Sequence, residues 1–242
     1  MSAARILEIS ALDFAFADRP WRFADDQKDR IAAHWRARLA KQPRLFNGRV
    51  LLLAGHRLVA AASGMTLAGE YVEVDYAAFL AWRDFDFPDR TVANCFAMAA
   101  LVGADGGFLI GEMAAHTANA GASYFPAGTP DAKDVFAGKV DLLASAQREL
   151  AEETGIGADE VTIAPDWIVV YAPPRIACMK IMRLAEPAEA ARTRIEGFLA
   201  ADPDAELSAI HVVRAPADLD RRRAPDFMRD FFAFAFAHRS PG

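Results

Sequence analysis

Between residues 148 and 156 the chain reads RELAEETGI, and the chemistry of this stretch lies in Glu149, Glu152 and Glu153. On a helix these positions are i, i+3 and i+4, so their carboxylates leave one face within a few ångströms of one another. Like charges that close destabilise the helix unless a cation sits among them. Carboxylate oxygens in that number suit a hard divalent ion, Mg²⁺ or Mn²⁺. Arg148 is the one cation inside the cluster, and its fork can hold one carboxylate in a fixed rotamer while a metal takes the others.

The elements that must carry this cluster are legible around it. Asp141 stands where a helix N-cap belongs, Leu143, Ala146 and Leu150 form an apolar stripe, and Gly155 supplies the left-handed residue that ends the helix. Acids in the last turn run against the helix dipole, which is a further reason to read them as ligands. The reading therefore places a helix over 141–154 with its acidic end facing a loop.

Upstream, ILEISALDFAF (6–16) reads as strand and ADDQKDRIAAHWRARLAKQ (24–42) as an amphipathic helix capped by Asp25 or Asp26, with Ile31, Trp35 and Leu39 inward. GRVLLLAGHRLVAAASGMTLAGEYVEVDY gives two or three strands broken by glycine, and AAFLAWRDF a short helix. A turn-prone FPDRTVAN then separates residues 1–90, a small mixed α/β unit, from residues 91–242. In the second part ANCFAMAALVGAD, GGFLIGEMA, SYFPAG, VTIAPDWIVVYA, RIACMKIMRLA and ELSAIHVVRA read as strands. PAEAARTRIEGFLAA and APDFMRDFFAFAFAHRS read as helices, the last with Phe227, Phe231 and Phe234 as a core stripe.

Bulk properties narrow the function. With 27 Lys plus Arg against 33 Asp plus Glu in 242 residues, the net charge of -6 argues against a duplex nucleic-acid binder. The longest apolar stretch, ANCFAMAALVG, is too short to span a bilayer, and the first residues lack a leader pattern. With Cys95 and Cys178 as its two cysteines, the chain is expected to be soluble and cytoplasmic, its thiols simple core residues. A small anionic ligand remains compatible with the charge, because a bound metal reverses the local field.

RELAEETGI resembles the core of the Nudix box, G-x5-E-x7-R-E-U-x-E-E-x-G-U with U aliphatic, through Arg148, Glu149, Leu150, Glu152, Glu153, Gly155 and Ile156. The upstream half departs from the pattern. Val140 stands where the family has its first Glu, with Asp141 one step later, and Gly128 of FPAG resembles the family's glycine but lies six residues too far away, around DAKDVFAGK. The resemblance implies an α/β/α sandwich with a mixed sheet over 91–242. It also implies hydrolysis of a nucleoside diphosphate linked to some group X, with Mg²⁺ or Mn²⁺ held by Glu149, Glu152, Glu153 and the Gly128 carbonyl, and Arg148 in the catalytic set. In some members the first Glu of the motif, here Glu149, is the base; in others the base lies on a distant loop.

IAAHWRARLAKQPRLFNGRVLLLAG (31–55) and YAAFLAWRDF (76–85) also resemble the unit preceding the Nudix domain in an animal subfamily that hydrolyses UDP-glucose and UDP-galactose. That likeness implies a UDP-sugar substrate giving UMP and a sugar 1-phosphate. Other Nudix substrates, ADP-ribose or a dinucleotide, and a non-catalytic nucleotide sensor stay open as alternatives. Residues 1–90 could equally cover a sheet edge or form a homodimer contact. Tyr171, with Pro173 and Pro174 beyond it, gives conflicting signs of specificity; Tyr171 could stack on a base but reads more readily as buried in the sheet, His211 reads as a core or edge histidine rather than a ligand, and Asp166, Arg175 and Glu206 lie near strand ends where they could face the site, though they read first as solvated surface.

Overall fold

The computed structural model describes residues 4–62 and 64–238. Among these residues the chain runs β1(Arg5–Ile9), β2(Ala11–Phe16), α1(Arg22–Asp26), α2(Lys28–Lys41), β3(Arg49–Ala61), β4(Gly64–Asp75), α3(Tyr76–Asp84), β5(Val92–Val102), β6(Phe108–Met113), β7(Ser123–Tyr124), β8(Val135–Phe136), β9(Lys139–Val140), α4(Leu142–Thr154), β10(Val161–Ala172), β11(Arg175–Leu184), α5(Ala188–Ala200), β12(Leu207–Val213) and α6(Asp226–Ala237). No helix among them is long and apolar enough to cross a membrane.

β5 is the axis. Its side chains alternate between two faces, as the period of an extended strand requires. Cys95, Ala97, Ala99 and Leu101 join a core with Leu142, Ala146 and Leu150 of α4 and Ala188, Ala191 and Ile195 of α5. Phe96, Met98, Ala100 and Val102 face the other way, onto Met228, Phe231 and Phe232 of α6. The result is a mixed sheet between helical layers, as expected. The strand path runs β1-β10-β11-β5-β3-β4-β2-β9-β8, with β6, β7 and β12 branching from β5. β11 pairs with β5, and β2 with β4, in parallel; the other pairings are antiparallel.

One edge of β5 is divided. Ala93 and Val92 pair with Leu53 and Ala54 of β3, whereas Val102 pairs with Phe108 of β6. The gap between them is filled by the loop through Pro126 and Pro130: Ala99 donates its N–H to the Pro126 carbonyl at 3.0 Å, and Leu51 donates to the Pro130 carbonyl at 2.7 Å. Residues before 90 thus grip one end of the loop that carries Gly128.

The turn ahead of β5 is also pinned. Asp89 accepts from the Trp21 indole at 2.7 Å and from the Thr91 N–H at 2.8 Å, and its carbonyl accepts from the Trp82 indole at 2.8 Å. Around it α1, α2 and α3 share a core of Trp21, Phe23, Ile31, Phe79 and Trp82 with Leu52 and Val72.

Several local expectations are corrected. The segment 6–16 is two strands, because β1 pairs with β10 while β2 pairs with β4 and β9, and the chain changes partners at Ser10. Neither Asp25 nor Asp26 caps α2. Both fall inside α1, and Gln27 stands at the cap without a side-chain bond. In α6 the inward residues are Met228, Phe231 and Phe232, while Phe234 stacks on His238 with ring centroids 4.2 Å apart. Cys95 and Cys178 are free and fully buried, their sulfurs 3.8 Å apart.

Asp105, in the β5–β6 turn, ties three elements together. It accepts from the Ala188 N–H at 3.0 Å, the Gly107 N–H at 3.3 Å and the Arg214 guanidinium at 2.6 Å. The Ala188 N–H and the Arg214 guanidinium hold its carboxyl at about 2, below the ordinary 3.8. A depressed carboxylate contributes stability above its unfolded pKa and loses it as pH falls through the folded value. Asp105→Asn should therefore lower stability at neutral pH by about 1 kcal/mol, and in urea titrations the deficit should shrink as pH drops from 3.8 towards about 2.

Candidate active site

α4 is built as its sequence requires. The Asp141 carboxylate accepts from the N–H groups of Leu143 and Ala144 at 2.9 and 3.0 Å, and Gly155 closes the helix at φ 71°. Val140 is buried in the core, and Asp141 serves as the cap. Val140 has no side-chain oxygen to replace that of the family's first Glu, and Asp141 uses its Oδ1 at the cap.

The three glutamates do not form a uniformly exposed ridge. Glu152 is 58% exposed, Glu149 14% and Glu153 6%, because the i, i+3, i+4 positions fan from solvent towards the Gly128 loop. Glu153 accepts a hydrogen bond from the Ala127 N–H, and its Oε2 is buried with no partner. Burial first, then the Glu149 and Glu206 charges, push its carboxyl well above the usual range. Glu206, just ahead of β12, also acts on Glu149. The sequence gives no periodic signal for it, since only strand order brings it to α4.

Gly128 lies against the same cluster. A Cβ at this position would stand 2.3 Å from Glu149 Oε1 and 2.6 Å from its Cδ, so only glycine lets the loop approach the carboxylate this closely.

Arg148 has a partner that the sequence did not reveal. Its guanidinium meets Asp134 at 3.0 and 3.2 Å, Glu149 at 2.7 Å and Glu152 at 3.4 Å. Asp134 comes from the inserted DAKDVFAGK segment, has a side chain 2% exposed, and also accepts from the Asp131 N–H at 3.0 Å and the Ser145 hydroxyl at 3.1 Å. Burial works against the Arg148 charge, but the Asp134 hydrogen bonds and the adjacent carboxylates outweigh it and hold its pKa above the ordinary value. The only signal for Asp134 was the Asp131-Ala-Lys-Asp134 pattern, whose reciprocal capping bonds set a short helical turn.

Whether these residues suit a divalent cation is a question of donors. Among the described residues no three His, Cys, Asp or Glu side chains already converge as a finished cage, since Arg148 holds Glu149 to one side. Yet the donors are hard oxygens, a buried carboxylate oxygen lacks any partner, and one arginine stands among four neighbouring acids. That composition fits Mg²⁺ or Mn²⁺.

Next to the cluster opens a cavity of about 480 Å³. Its walls come from both parts of the chain: Tyr76, Phe79 and Arg83 of α3, Asn94, Phe96 and Met98 of β5, then Tyr124, the Gly128 loop, Arg175, Arg223 and Phe227. Arg175, one of the strand-end residues that could face the site, does line it, and so does Phe227, which the sequence places in the core stripe. Other candidates are held elsewhere. Tyr171 exchanges a hydrogen bond with His56 at 2.8 Å, His211 pairs with Glu112 at 2.9 Å, and Asp166 is exposed.

Two measurements probe this geometry. Burial raises the Glu149 carboxyl from 4.5 to about 7 against the opposing pull of Arg148. An acid whose folded pKa is raised stabilises the fold below its unfolded pKa and loses that contribution as pH rises through the folded value. In chelator, melting temperatures of the wild type should therefore fall relative to Glu149→Gln between pH 4.5 and about 7, then run parallel. Asp134→Ala leaves Arg148 without its buried partner and should cost about 3 kcal/mol in urea unfolding; a cost near zero would show the pair to be incidental.

No protein-family model matches the chain, and no curated protein matches it. Solved structures do. The chain is similar to a Nudix hydrolase from M. smegmatis, with 13% identity and a TM-score of 0.39, over 61% of this chain and 88% of that one. It is also similar to the MutT protein of Methanosarcina mazei Go1, with 20% identity and a TM-score of 0.39 over 61% and 96% of the two chains. A C. elegans Ap4A hydrolase is 17% identical, with a TM-score of 0.38 over 59% and 98%.

Proposed function

We propose that this chain is a Nudix-type diphosphatase that hydrolyses, with Mg²⁺ or Mn²⁺, the diphosphate of a nucleoside diphosphate linked to X. The best reading of X is a sugar on UDP, giving UMP and a sugar 1-phosphate. The observation that carries the activity is the buried, partnerless Oε2 of Glu153 beside Glu149, where the Gly128 loop meets the cavity. The UDP-sugar reading rests on the resemblance of residues 31–55 and 76–85 to the UDP-sugar subfamily.

In this reading Glu149, Glu152 and Glu153, with the Gly128 carbonyl, hold the cation. When bound, such an ion neutralises charge on the phosphates and lowers the pKa of water. Arg148, fixed by Asp134, keeps the Glu149 carboxylate in one orientation. Gly128 lets the diphosphate approach along a backbone without a side chain in the way. The proton of the attacking water passes to a carboxylate of the cluster, and the cavity seats the rest of the substrate. Residues 91–242 would carry the hydrolytic centre, and residues 1–90 would form a unit that completes the cavity through α3.

A phosphate-release screen with Mg²⁺ and a coupled phosphatase, run across nucleotide sugars, ADP-ribose and dinucleoside polyphosphates, tests the activity and ranks X. Turnover of ADP-ribose or dinucleotides alone would replace the UDP-sugar reading; binding without turnover would make the chain a nucleotide sensor. Glu152→Gln and Glu153→Gln should each slow turnover at least about 100-fold, because a cation that stabilises transition-state charge contributes several kcal/mol. Circular dichroism should show the fold kept. Wild-type rates in both variants would overturn the assignment.

A further inference from the structure

The cavity carries more positive charge than its position beside a diphosphate centre accounts for. Three guanidiniums line it, those of Arg83, Arg175 and Arg223, in a chain whose net charge is -6. Among the described residues Arg175 makes no ion pair, and its guanidinium lies over the Phe87 ring, 5.0 Å from the centroid. Burial and the neighbouring Arg83 both depress its pKa, while Asp226 and Asp86 act the other way. Arg83 reaches Asp84 at 3.2 Å, but Asp84 also serves His34 at 2.9 Å and Arg38 at 3.4 Å. Among the described residues the Arg223 guanidinium donates to the Ala120 carbonyl, at 3.0 Å, and makes no ion pair. Asp226 also lines the cavity and acts on Arg175, yet among the described residues no carboxylate pairs with the Arg175 guanidinium, and the mutual repulsion of Arg83 and Arg175 is a cost that an arriving anion would offset.

A second observation falls at the same end of the cavity. Asn94 is the register partner of Arg175 across β5 and β11, and its Oδ1 is buried without a hydrogen-bond partner. A buried orphan acceptor costs stability that a ligand's N–H or O–H would recover. The Gly128 loop is anchored at Ala99 of β5 and at Leu51 of β3. Asn94, with Arg175 opposite it on β11, thus stands five residues before the Ala99 anchor along β5, roughly 16 Å at about 3.3 Å per residue, and close to the level of the Leu51 anchor. The cavity therefore runs from the Gly128 loop to Asn94 and Arg175, both of which line it.

We propose that this end of the cavity is an anion subsite, in which Arg175 and Arg83 receive a second negatively charged group of the substrate, separate from the diphosphate. The group is a carboxylate or phosphate on X or on the ribose, and Asn94 accepts a hydrogen bond from the adjoining ring. Guanidinium forks match either anion in two-point geometry. The inference rests on the diphosphatase reading for what lies at the other end of the cavity, and it narrows the substrate to one that bears a second charged group, on X or on the ribose.

Calorimetric titration in chelator, where no turnover occurs, tests it with matched ligands: UDP-glucuronic acid against UDP-glucose, and ADP-ribose 2′-phosphate against ADP-ribose. The first pair reports a carboxylate and the second a phosphate. In at least one pair the charged member should bind about 10-fold tighter or more, as charge-assisted hydrogen bonds allow; Arg175→Ala should bring that ratio to within about twofold, and Arg175→Lys should restore part of it. Ratios near one in both wild-type pairs, or a preference that survives both Arg175→Ala and Arg83→Ala, would overturn the subsite. Hydrolysis is scored separately with Mg²⁺: no turnover of any ligand, with the ratio intact, removes the diphosphatase reading and leaves the subsite standing.

Discussion

The Arg148 guanidinium is the interaction on which the rest of the centre depends. It is shared by Asp134, Glu149 and Glu152, and Asp134 is the buried member of the set. Breaking one side of such a pair costs about 3–5 kcal/mol, far more than an exposed ion pair contributes. Asp134 spends its remaining oxygen capacity on the Asp131 N–H and on the hydroxyl of Ser145, which is itself on α4, so the inserted segment is tied to the helix through both Ser145 and Arg148. The Asp134 carbonyl also accepts from the Asp141 N–H at 2.8 Å, one residue before α4 begins. The inserted segment therefore fixes both the start of α4 and the rotamer of its arginine, and through that arginine the orientation of Glu149.

A second constraint is the divided edge of β5. A strand paired along its whole length would leave no place for the Gly128 loop. Pairing with β3 at one end and β6 at the other leaves the middle of that edge to the loop, whose carbonyls satisfy Ala99 and Leu51. Because one anchor is Leu51, the first part of the chain helps to set how near Gly128 comes to Glu149. The same part contributes Tyr76, Phe79 and Arg83 to the cavity, which sit at i, i+3 and i+7 of α3 and so on one helical face.

What the sequence disclosed was mostly local. Asp141 and Gly155 bound α4 because a cap and a left-handed terminator are set by the residue itself. β5 could be read as a strand from its near-continuous apolar run, which suits a strand whose two faces are both covered by helices. Asp134 was hidden, since its meaning lies in a contact 14 positions away across an insertion whose path no periodicity describes. Arg175 and Glu206 could be placed near strand ends but not assigned to the site, because a strand end says nothing of what other elements bring opposite it. The failed caps at Asp25 and Asp26 have a local cause: a short helix already absorbs both, and the chain restarts at Gln27.

Glu153 shows how stability and function oppose each other here. Burial, the charges of Glu149 and Glu206, and the carboxyl-terminal end of α4 all disfavour its ionised form. The single N–H of Ala127 is worth about 1.5–3 kcal/mol to a carboxylate, whereas desolvating one costs several kcal/mol even after relaxation. Without a cation the balance falls to the proton, and the helix end is quiet. A divalent ion held there would offset the repulsion, because Glu153 could supply its partnerless Oε2 to it and Glu149 and Glu206 would then face a positive charge. Selection for packing alone would place an apolar side chain at 153, as at Leu150 one turn earlier. Keeping an acid there sacrifices fold stability in the metal-free chain, and that cost has a physical return only if the ion binds.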